Sequence, residues 1–336
     1  MDNLEFHRSL TIVDGHCDTV LDLLGISFTD KSMTKRDFFQ RGRGHLDLPR
    51  LMEGGVSCQV MALFTDDELV PVAKAHTWRL LETVEELWAA KKGFVPALRV
   101  ADIEAAKKNG QVAGLLSIEG GEAIGGEKGG LDELRAFHTR GLRLMGLTWS
   151  RPNPIAMGVS DSAIPQAPGG LTPFGKKVLK EMERLGIVVD VSHLCDQSFE
   201  EVLAVAEQPL IASHSNSRAL CPNRRNLTDA MAEKIAATGG LIGVTFPGVF
   251  IDPVPAKVSK EGLFAHLEHL VSVVGPDHVG LGSDFDGFTA PYGVAFSSPS
   301  ELPWITGRLL EAGHSREDVA KIMGGNWMRV LGKVIG

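Results

Sequence analysis

Histidine and carboxylate residues recur in this sequence directly after short apolar runs. They are His16, Asp18, Glu119, His193, His214 and Asp284. These residue types bind zinc and similar divalent ions, and carboxylates also serve as general acids and bases. Each residue taken alone has an ordinary structural explanation, such as a satisfied histidine at the end of a strand. Their recurrence indicates a shared site, because unpaired charge is costly to bury beside an apolar run.

The spacing of five of these residues predicts a centre with two metal ions. In His16-x-Asp18 both side chains point the same way if the strand continues through them, so they can bind one ion. Glu119 could bridge that ion to a second one, because a carboxylate has two oxygens that can each bind a metal. His193 and His214 would hold the second ion.

Asp284 follows the last of the apolar runs and is the predicted acid–base residue. Two dications that share a water lower its pKa to about 7, which supplies hydroxide at neutral pH. A carboxylate beside that water can orient it and move its proton to a leaving amine. The sequence therefore predicts hydrolysis of an amide by a metal-bridged hydroxide, with Asp284 as the catalytic residue.

Short strands have to position these side chains. We identify eight apolar or β-branched runs, most of them continuous, which is typical of strands buried on both faces. The runs are 10–16, 56–64, 112–120, 142–150, 186–193, 209–215, 240–246 and 278–285. The segments between them have helical spacing or capping residues, such as Thr172-Pro173 and Ser198 with Glu201. Repeated strand–helix units predict a (β/α)8 barrel of the TIM type, with its active site at the carboxyl ends of the strands.

A doubly wound open sheet is the alternative α/β fold. It normally has a glycine-rich phosphate loop after its first strand, and DGHCDT at 14–19 is not such a loop. No linker rich in proline, glycine or serine divides the chain, so we expect one metal-dependent hydrolase domain over 1–336. Residues 25–55 form an insertion after the first strand. Its part from 25 to 50 carries six basic residues and is either a lid or a basic surface loop.

Composition and charge exclude several other classes of protein. The net charge is −8 and no dense basic run is present, which argues against nucleic acid as a partner. The apolar runs are too short to span a membrane, and the N-terminus does not resemble a signal peptide. The four cysteines form no CxxC pair and are expected to be free thiols. We therefore expect a cytoplasmic enzyme without a membrane partner.

Six segments resemble the membrane (renal) dipeptidase family of metallopeptidases, within the amidohydrolase-like barrels. They are VDGHCDT, HLDLPRLMEGGVSCQ, SIEGGEAI, VDVSHL, SHSNSRALCPNRRN and HVGLGSDFDG, in the family's order. The resemblance implies a binuclear zinc dipeptidase, with two Zn²⁺ per chain bridged by Glu119 and held by the five residues named above. Its acid–base position falls on Asp284. It also implies that Arg225 binds the terminal carboxylate of the substrate through its guanidinium fork, and it suggests a homodimer.

The sequence departs from the family at one position. Members typically have a histidine after the fourth strand that donates a hydrogen bond to the substrate carbonyl, whereas Trp149 stands there in LTWSRPNPIAMG. An indole N–H can donate but cannot become protonated, and Asn153 is the candidate for a substitute donor. The substrate is then either a small dipeptide with a free C-terminal carboxylate or another amide, such as an N-acyl amino acid. A non-catalytic metal-binding barrel is the third hypothesis.

Overall fold

Parallel strands form a closed barrel in the computed structural model of the chain, which describes residues 2–26, 34–159, 169–288 and 293–336. The strands are β1 (Ile12–Asp14), β2 (Val56–Phe64), β3 (Phe94–Pro96), β4 (Val112–Glu119), β5 (Leu142–Gly146), β6 (Val188–Asp190), β7 (Leu210–Ala212), β8 (Leu241–Val244) and β9 (Val279–Leu281). They pair in the order β2-β1-β9-β8-β7-β6-β5-β4, and β2 also pairs with β4. This last pairing closes the barrel over eight strands.

The barrel strands fall within the eight apolar runs, so the predicted (β/α)8 fold of a single domain is confirmed. Most strands are shorter than the runs, and β6, for example, ends at Asp190. The backbone has to leave the sheet before His193 and Asp284 because both residues have positive φ, which strand residues do not adopt. No pattern in the sequence predicts β3, which has three residues and, within the described ranges, pairs with the first three residues of β4.

Helices alternate with the strands along the chain. They are α1 (Asn3–Ser9), α2 (Thr19–Leu24), α3 (Leu48–Glu53), α4 (Ala73–Ala89), α5 (Val100–Lys108), α6 (Gly130–Thr139), α7 (Pro173–Leu185), α8 (Asp196–Leu203), α9 (Asp229–Ala237), α10 (Lys260–Val274), α11 (Pro303–Glu311), α12 (Arg316–Ala320) and α13 (Asn326–Val334). Among the described residues, none of these helices combines the length and the apolar character needed to cross a bilayer.

Of two helix starts predicted from capping residues, one is confirmed and one is wrong. Thr172 accepts a hydrogen bond from Gly175 N–H at 2.9 Å at the start of α7, and Pro173 is its first helical residue. The predicted capping box of Ser198 with Glu201 is wrong, because α8 begins at Asp196. Ser198 lies inside that helix, where its hydroxyl donates to the carbonyl of Met157 at 2.8 Å.

The last helix covers the amino-terminal end of the barrel. α13 contacts residues at the start of strands or shortly before them: Asn326 donates to the carbonyls of Pro276 and Val279, and Arg329 donates to the carbonyl of Gly239. Trp327 is fully buried in a cluster with residues of β1, β2, β4, β5, β6, β7 and β8. Its indole donates to the carbonyl of Leu281 in β9 at 2.9 Å. The opposite, carboxyl-terminal end of the barrel therefore remains for the site.

The predicted insertion at 25–55 connects α2 to β2. Residues 27–33, with Lys31 among them, lie outside the described residues. In the described part, the side chain of Asp47 accepts a hydrogen bond from Arg50 N–H at 2.9 Å and so begins α3. Arg50 Nε also donates to the same carboxylate at 2.8 Å. This pair fixes the end of the insertion next to the start of β2.

Candidate metal centre

Segments at the carboxyl-terminal ends of the barrel strands bring the predicted side chains together. His16 lies two residues after β1, Glu119 is the last residue of β4, and His214 lies two residues after β7. His193 and Asp284 each follow their strand by three residues, with φ of 66° and 62°. A positive φ costs a residue with a Cβ roughly 1–2 kcal/mol, so the surrounding contacts must hold these two turns.

Glu119 lies between two groups of histidines. Its Oε1 is 2.9 Å from His193 Nε2 and 3.5 Å from His214 Nε2. Its Oε2 is 3.5 Å from His16 Nε2. The two oxygens of one carboxylate therefore face different histidines, which is the arrangement that a carboxylate shared by two ions requires.

Two further carboxylates complete the side of the cluster that faces β1. His16 Nε2 is 3.5 Å from Asp18 Oδ2 and 3.9 Å from Asp284 Oδ1, and donor atoms of these three residues lie within 4.8 Å of one another. Asp18 precedes the first residue of α2, and Gly287 lies beside both carboxylates. A Cβ at Gly287 would overlap Asp18 Oδ2 and Asp284 Oδ1. The absence of a side chain there lets the two carboxylates approach.

Hydrogen bonds behind the cluster orient two of the histidines. Ser213 Oγ donates to the Asp190 carboxylate, so it accepts from His214 Nδ1–H at 2.7 Å, and Nε2 of this ring carries a lone pair. His214 Nε2 lies 3.0 Å from His193 Nε2. The other ring nitrogen of His193, Nδ1, is 2.9 Å from Ser150 Oγ. Glu119 Oε1 lies beside these two nitrogens. Together the three facing atoms offer more lone pairs than protons, which is the arrangement expected around a bound cation.

Burial and close charges shift the pKa values of the cluster in different directions. Burial and the neighbouring Asp18 raise the pKa of Asp284 well above its usual range. Burial alone would raise the pKa of Glu119, but His16 and the other two histidines hold it well below the ordinary value. Burial lowers the pKa of His193 to about 4. Opposite shifts within one cluster are typical of functional sites.

The cluster fits a cation better than a purely hydrogen-bonded arrangement. Among the described residues, His16 Nε2 and Asp18 Oδ1 are buried without any hydrogen-bond partner. Their side chains are only 2% and 5% exposed, so bulk solvent does not reach them. The cluster also buries three carboxylates, whose negative charge needs compensation in a site of this kind. Divalent ions would supply both the missing partners and the positive charge.

Arg225 contributes a buried positive charge next to the cluster. Its Nη1 donates to Ser215 Oγ at 2.7 Å and its Nη2 donates to the carbonyl of His214 at 2.8 Å. Burial lowers its pKa to about 10, while the carboxylates around it oppose this shift, so it stays charged at neutral pH. Its Nε has no hydrogen-bond partner within the part of the chain that the structure describes. The predicted contact of Arg225 with a substrate carboxylate stays a prediction.

Trp149 stands beside the cluster as part of an aromatic surface. Its ring centroid is 5.9 Å from that of His193 and 5.3 Å from that of Phe64. The guanidinium of Arg151 lies 5.1 Å from the Trp149 ring and is held by Glu122 at 2.9 Å. An apolar surface therefore lies next to a proposed metal ligand.

Asn153 uses its side chain within its own turn. The amide donates to the carbonyl of Leu147 at 2.8 Å, and its oxygen accepts from the N–H groups of Ile155 and Ala156 at 2.8 and 3.1 Å. These bonds close the turn that follows Trp149. No described contact links Asn153 to the cluster, so the structure does not support the substitute donor role predicted for it.

The sequence analysis missed the residues that orient the histidines. Ser150 and Ser213 are not metal-binding residue types, and Asp190 lies within a strand rather than after one, so only their hydrogen bonds in the folded chain reveal their role. One local signal was available, because Ser213 directly precedes His214. Such partners fix the tautomer and the orientation of a metal-binding histidine.

Comparisons with known proteins agree with this geometry. The sequence model of the membrane dipeptidase family, peptidase family M19, matches residues 3–335. Dipeptidase tcpJ of Claviceps purpurea is 31% identical over 305 residues, 87% of this chain and 69% of that protein. The crystal structure of dipeptidase AC, a metallo peptidase of family M19, is similar with a TM-score of 0.84 at 30% identity, covering 97% of this chain and 99% of that chain. A metallo peptidase from Rhodobacter sphaeroides, liganded with a phosphinate mimic of the dipeptide L-Ala-D-Ala, has a TM-score of 0.83 at 29% identity and the same coverage.

Proposed function

Because the chain belongs to the membrane dipeptidase family and is a metallo-dipeptidase, we propose that it is a binuclear zinc enzyme that hydrolyses small dipeptides with a free C-terminal carboxylate. The observation that carries this proposal is the position of Glu119. Its two oxygens face His16 on one side and the pair of His193 and His214 on the other. Two metal positions that share this carboxylate explain that arrangement.

We assign one zinc ion to His16, Asp18 and Glu119, and the other to Glu119, His193 and His214. Zinc is bound by imidazole nitrogen and carboxylate oxygen, which are the donors that this cluster offers. When bound, two such ions lower the pKa of a shared water and polarise the carbonyl of the scissile amide.

Asp284 acts on the proton of the attacking water. Its Oδ1 lies 3.9 Å from His16 Nε2, and donor atoms of Asp284, His16 and Asp18 lie within 4.8 Å of one another. A water bound among these residues would therefore be within reach of Asp284. The carboxylate orients the water, accepts a proton at this oxygen and delivers it to the leaving amine. Burial of the group excludes bulk water, which would otherwise compete for the proton.

Arg225 binds the C-terminal carboxylate of the substrate in this proposal. Its guanidinium is always charged, and a carboxylate can accept two parallel hydrogen bonds from such a group. Support comes from its burial next to the cluster and from its Nε, which has no partner among the described residues. This contact would orient a dipeptide with its peptide bond toward the metal ligands.

A deacylase of N-acyl amino acids is the second candidate. The observation that favours it is the aromatic surface of Trp149 and Phe64 beside His193, where the family typically has a polar histidine. An apolar surface at this place suits an acyl chain as well as an apolar side chain of an N-terminal residue. In both cases Arg225 would bind the same C-terminal carboxylate.

A matched substrate panel distinguishes these functions. It would contain dipeptides of both chiralities, their C-terminal amides, and N-acyl amino acids with the same C-terminal residue, each assayed before and after chelation. A kcat/KM for dipeptides at least tenfold above that of the N-acyl series, together with loss of activity on chelation, supports the dipeptidase. The opposite preference supports the deacylase, and bound metal without hydrolysis of any amide indicates a non-catalytic barrel.

The panel also tests the role of Arg225. Replacing the C-terminal carboxylate of a substrate by an amide removes a charge-assisted contact, which is worth roughly 1.5–3 kcal/mol. The amides should therefore be hydrolysed at least tenfold less efficiently than the free dipeptides.

A homodimer and a cytoplasmic location are further parts of this proposal. Light scattering would test the oligomeric state, and cell fractionation would test the location.

A further inference from the structure

A buried carboxylate in the loop after β9 joins three segments of the chain. Asp286 Oδ2 accepts a hydrogen bond from Thr19 Oγ1 at 2.7 Å and another from Arg36 Nη2. Its Oδ1 accepts from His45 N–H at 2.6 Å, and Asp286 N–H donates to His45 Nδ1 at 3.0 Å. Thr19 begins α2, while Arg36 and His45 belong to the insertion. The insertion is thus bonded to two segments that carry residues of the site.

Arg36 is the charged partner in this network. Its side chain is 5% exposed, and its Nε lies 3.3 Å from Asp22 Oδ2 on α2. Its Nη1 donates to the carbonyl of Arg43 at 2.5 Å. Gly44 makes room for the network, because a Cβ there would overlap Arg36 Nη1 and lie 2.8 Å from Asp286 Oδ1. This part of the insertion is therefore packed into the protein and is not a basic surface loop.

The loop that carries Asp284 needs such support. Asp284 and Asp286 have φ of 62° and 67°, so two residues with a Cβ adopt the left-handed backbone within three positions. A residue with a Cβ rarely adopts this backbone, so contacts of the folded chain must hold both residues in it. The ring of His45 also stacks on Phe288 of this loop, with centroids 4.7 Å apart. The contacts of the insertion thus fall within the strained turn, at Asp286, and directly after it, at Phe288.

We infer that Arg36, His45 and Asp286 are positioning residues that hold Asp284 and Asp18 against each other across Gly287. The bond from Thr19 to Asp286 fixes the residue next to Asp18, and Asp286 itself fixes the backbone two residues after Asp284. The catalytic part of this inference rests on the proposed function, whereas the structural part does not. The described part of the insertion that contains Arg36 and His45 is then neither a lid nor a surface loop, and it holds a proton-transfer group in position beside a proposed metal ligand.

The test compares two arginines of the same insertion. Arg36→Ala removes the buried charge, while Arg41→Ala removes an arginine that is 61% exposed and pairs with Glu53 on the surface. For both variants and the parent we would measure kcat, KM, bound metal and hydrogen exchange of a peptide covering 283–288. Exchange reads the loop directly and requires no substrate, and it is compared between variants at equal bound metal.

The positioning role predicts a distinct set of changes for Arg36→Ala. Misplacement of a catalytic group by about 1 Å can lower the rate about 10²-fold, so kcat should fall by that order. KM should stay within about threefold, since Arg225 lies in a different loop. The amide of Asp286 should exchange faster because its bond to His45 weakens. Methylguanidine at millimolar concentration should fill the vacated space and restore part of kcat, whereas sodium chloride should not.

Several outcomes would overturn the inference. They are a normal kcat in a folded Arg36→Ala, an unchanged exchange of 283–288, or equal effects of Arg41→Ala. If Arg36→Ala does not fold, the isosteric Thr19→Val removes one bond to Asp286 and should still lower kcat at constant KM; an unchanged kcat there rejects the inference. If the parent hydrolyses no dipeptide, the proposed function fails, and the exchange data alone still support or reject the structural part.

Discussion

In the proposed mechanism, the proton transfer depends on Asp284. Asp284→Asn keeps the size of the side chain but cannot accept a proton at the same oxygen. General acid–base catalysis contributes about 10²–10⁴-fold, so we expect kcat to fall by about 10³-fold. Bound metal should stay at the level of the parent, because Asp284 is not one of the proposed ligands. Steady-state kinetics with metal analysis would check this, and a variant with nearly normal kcat would reject the role.

Trp149 occupies the position at which the resemblance to the family leads us to expect a histidine. Trp149→His would place a hydrogen-bond donor beside His193. A hydrogen-bond donor to the oxygen on which charge develops can be worth about 10²–10³ in rate, so kcat for small dipeptides should rise at least tenfold. Hydrolysis of substrates with large apolar N-terminal groups should fall, because the aromatic surface is lost. A fall in kcat for both substrate classes would show that Trp149 does not replace a donor.

At the scale of the elements, the ends of the strands could be predicted but the turns beyond them could not. β2 and β4 are continuous apolar runs and are buried along their whole length, so the sequence shows where they lie. The turns depend on contacts between distant parts of the chain. Arg36 and Asp286, for example, are 250 positions apart. Neither their pairing nor the positive φ of Asp284 leaves a local pattern.

Gly287 lies in contact with the carboxylates of Asp18, at the start of α2, and of Asp284, in the loop after β9. In Gly287→Ala the new Cβ would overlap oxygens of Asp18 and Asp284, so the two carboxylates must separate. We expect kcat to fall by about 10²-fold, as for other displacements of about 1 Å, in a protein that remains folded. Gly307→Ala is the matched control, since Gly307 lies in α11 and a Cβ there meets nothing within 4 Å. Equal activity of the two variants would contradict the tight approach at Gly287.

On the scale of the whole molecule, stability and chemistry depend on opposite ends of the barrel. α13 covers the amino-terminal end, and its Trp327 ring extends through the barrel interior as far as Gly15, directly after β1, where a Cβ would overlap the indole. The metal ligands and Asp284 lie at the other end. The sequence predicted only part of this arrangement. The position of the site at the carboxyl ends of the strands followed from the strand–helix order, whereas the covering role of α13 depends on packing that no periodicity shows.

Buried neutral histidines outside the site should make the fold sensitive to acid. Burial lowers the pKa values of His7, His76 and His266. His266 accepts a bond from Ser217 N–H at Nδ1 and lies 2.9 Å from the carbonyl of Ile251 at Nε2, so a second proton would break a contact. The unfolded chain binds these protons at about pH 6.5 and the folded chain only at lower pH. Stability should therefore be fully present above that pH and fall as the pH is lowered through this window.

A single variant isolates the contribution of His266 to this acid sensitivity. We would follow urea unfolding of metal-free parent and His266→Gln between pH 7 and pH 5, so that groups of the site contribute equally to both. The free energy of unfolding of the parent should fall more steeply, by up to about 1.4 kcal/mol per pH unit for one such group. Identical slopes would show that His266 is not held neutral by the fold.

The number of zinc ions needed for activity tests the central claim most directly. Metal-free protein would be titrated with zinc, and bound metal would be measured per chain alongside the rate of dipeptide hydrolysis. We predict that bound zinc saturates at two ions per chain, and that Glu119→Ala, which removes the shared ligand, does not bind both. Full activity with one ion per chain, or in metal-free protein, would contradict a centre in which two ions share Glu119.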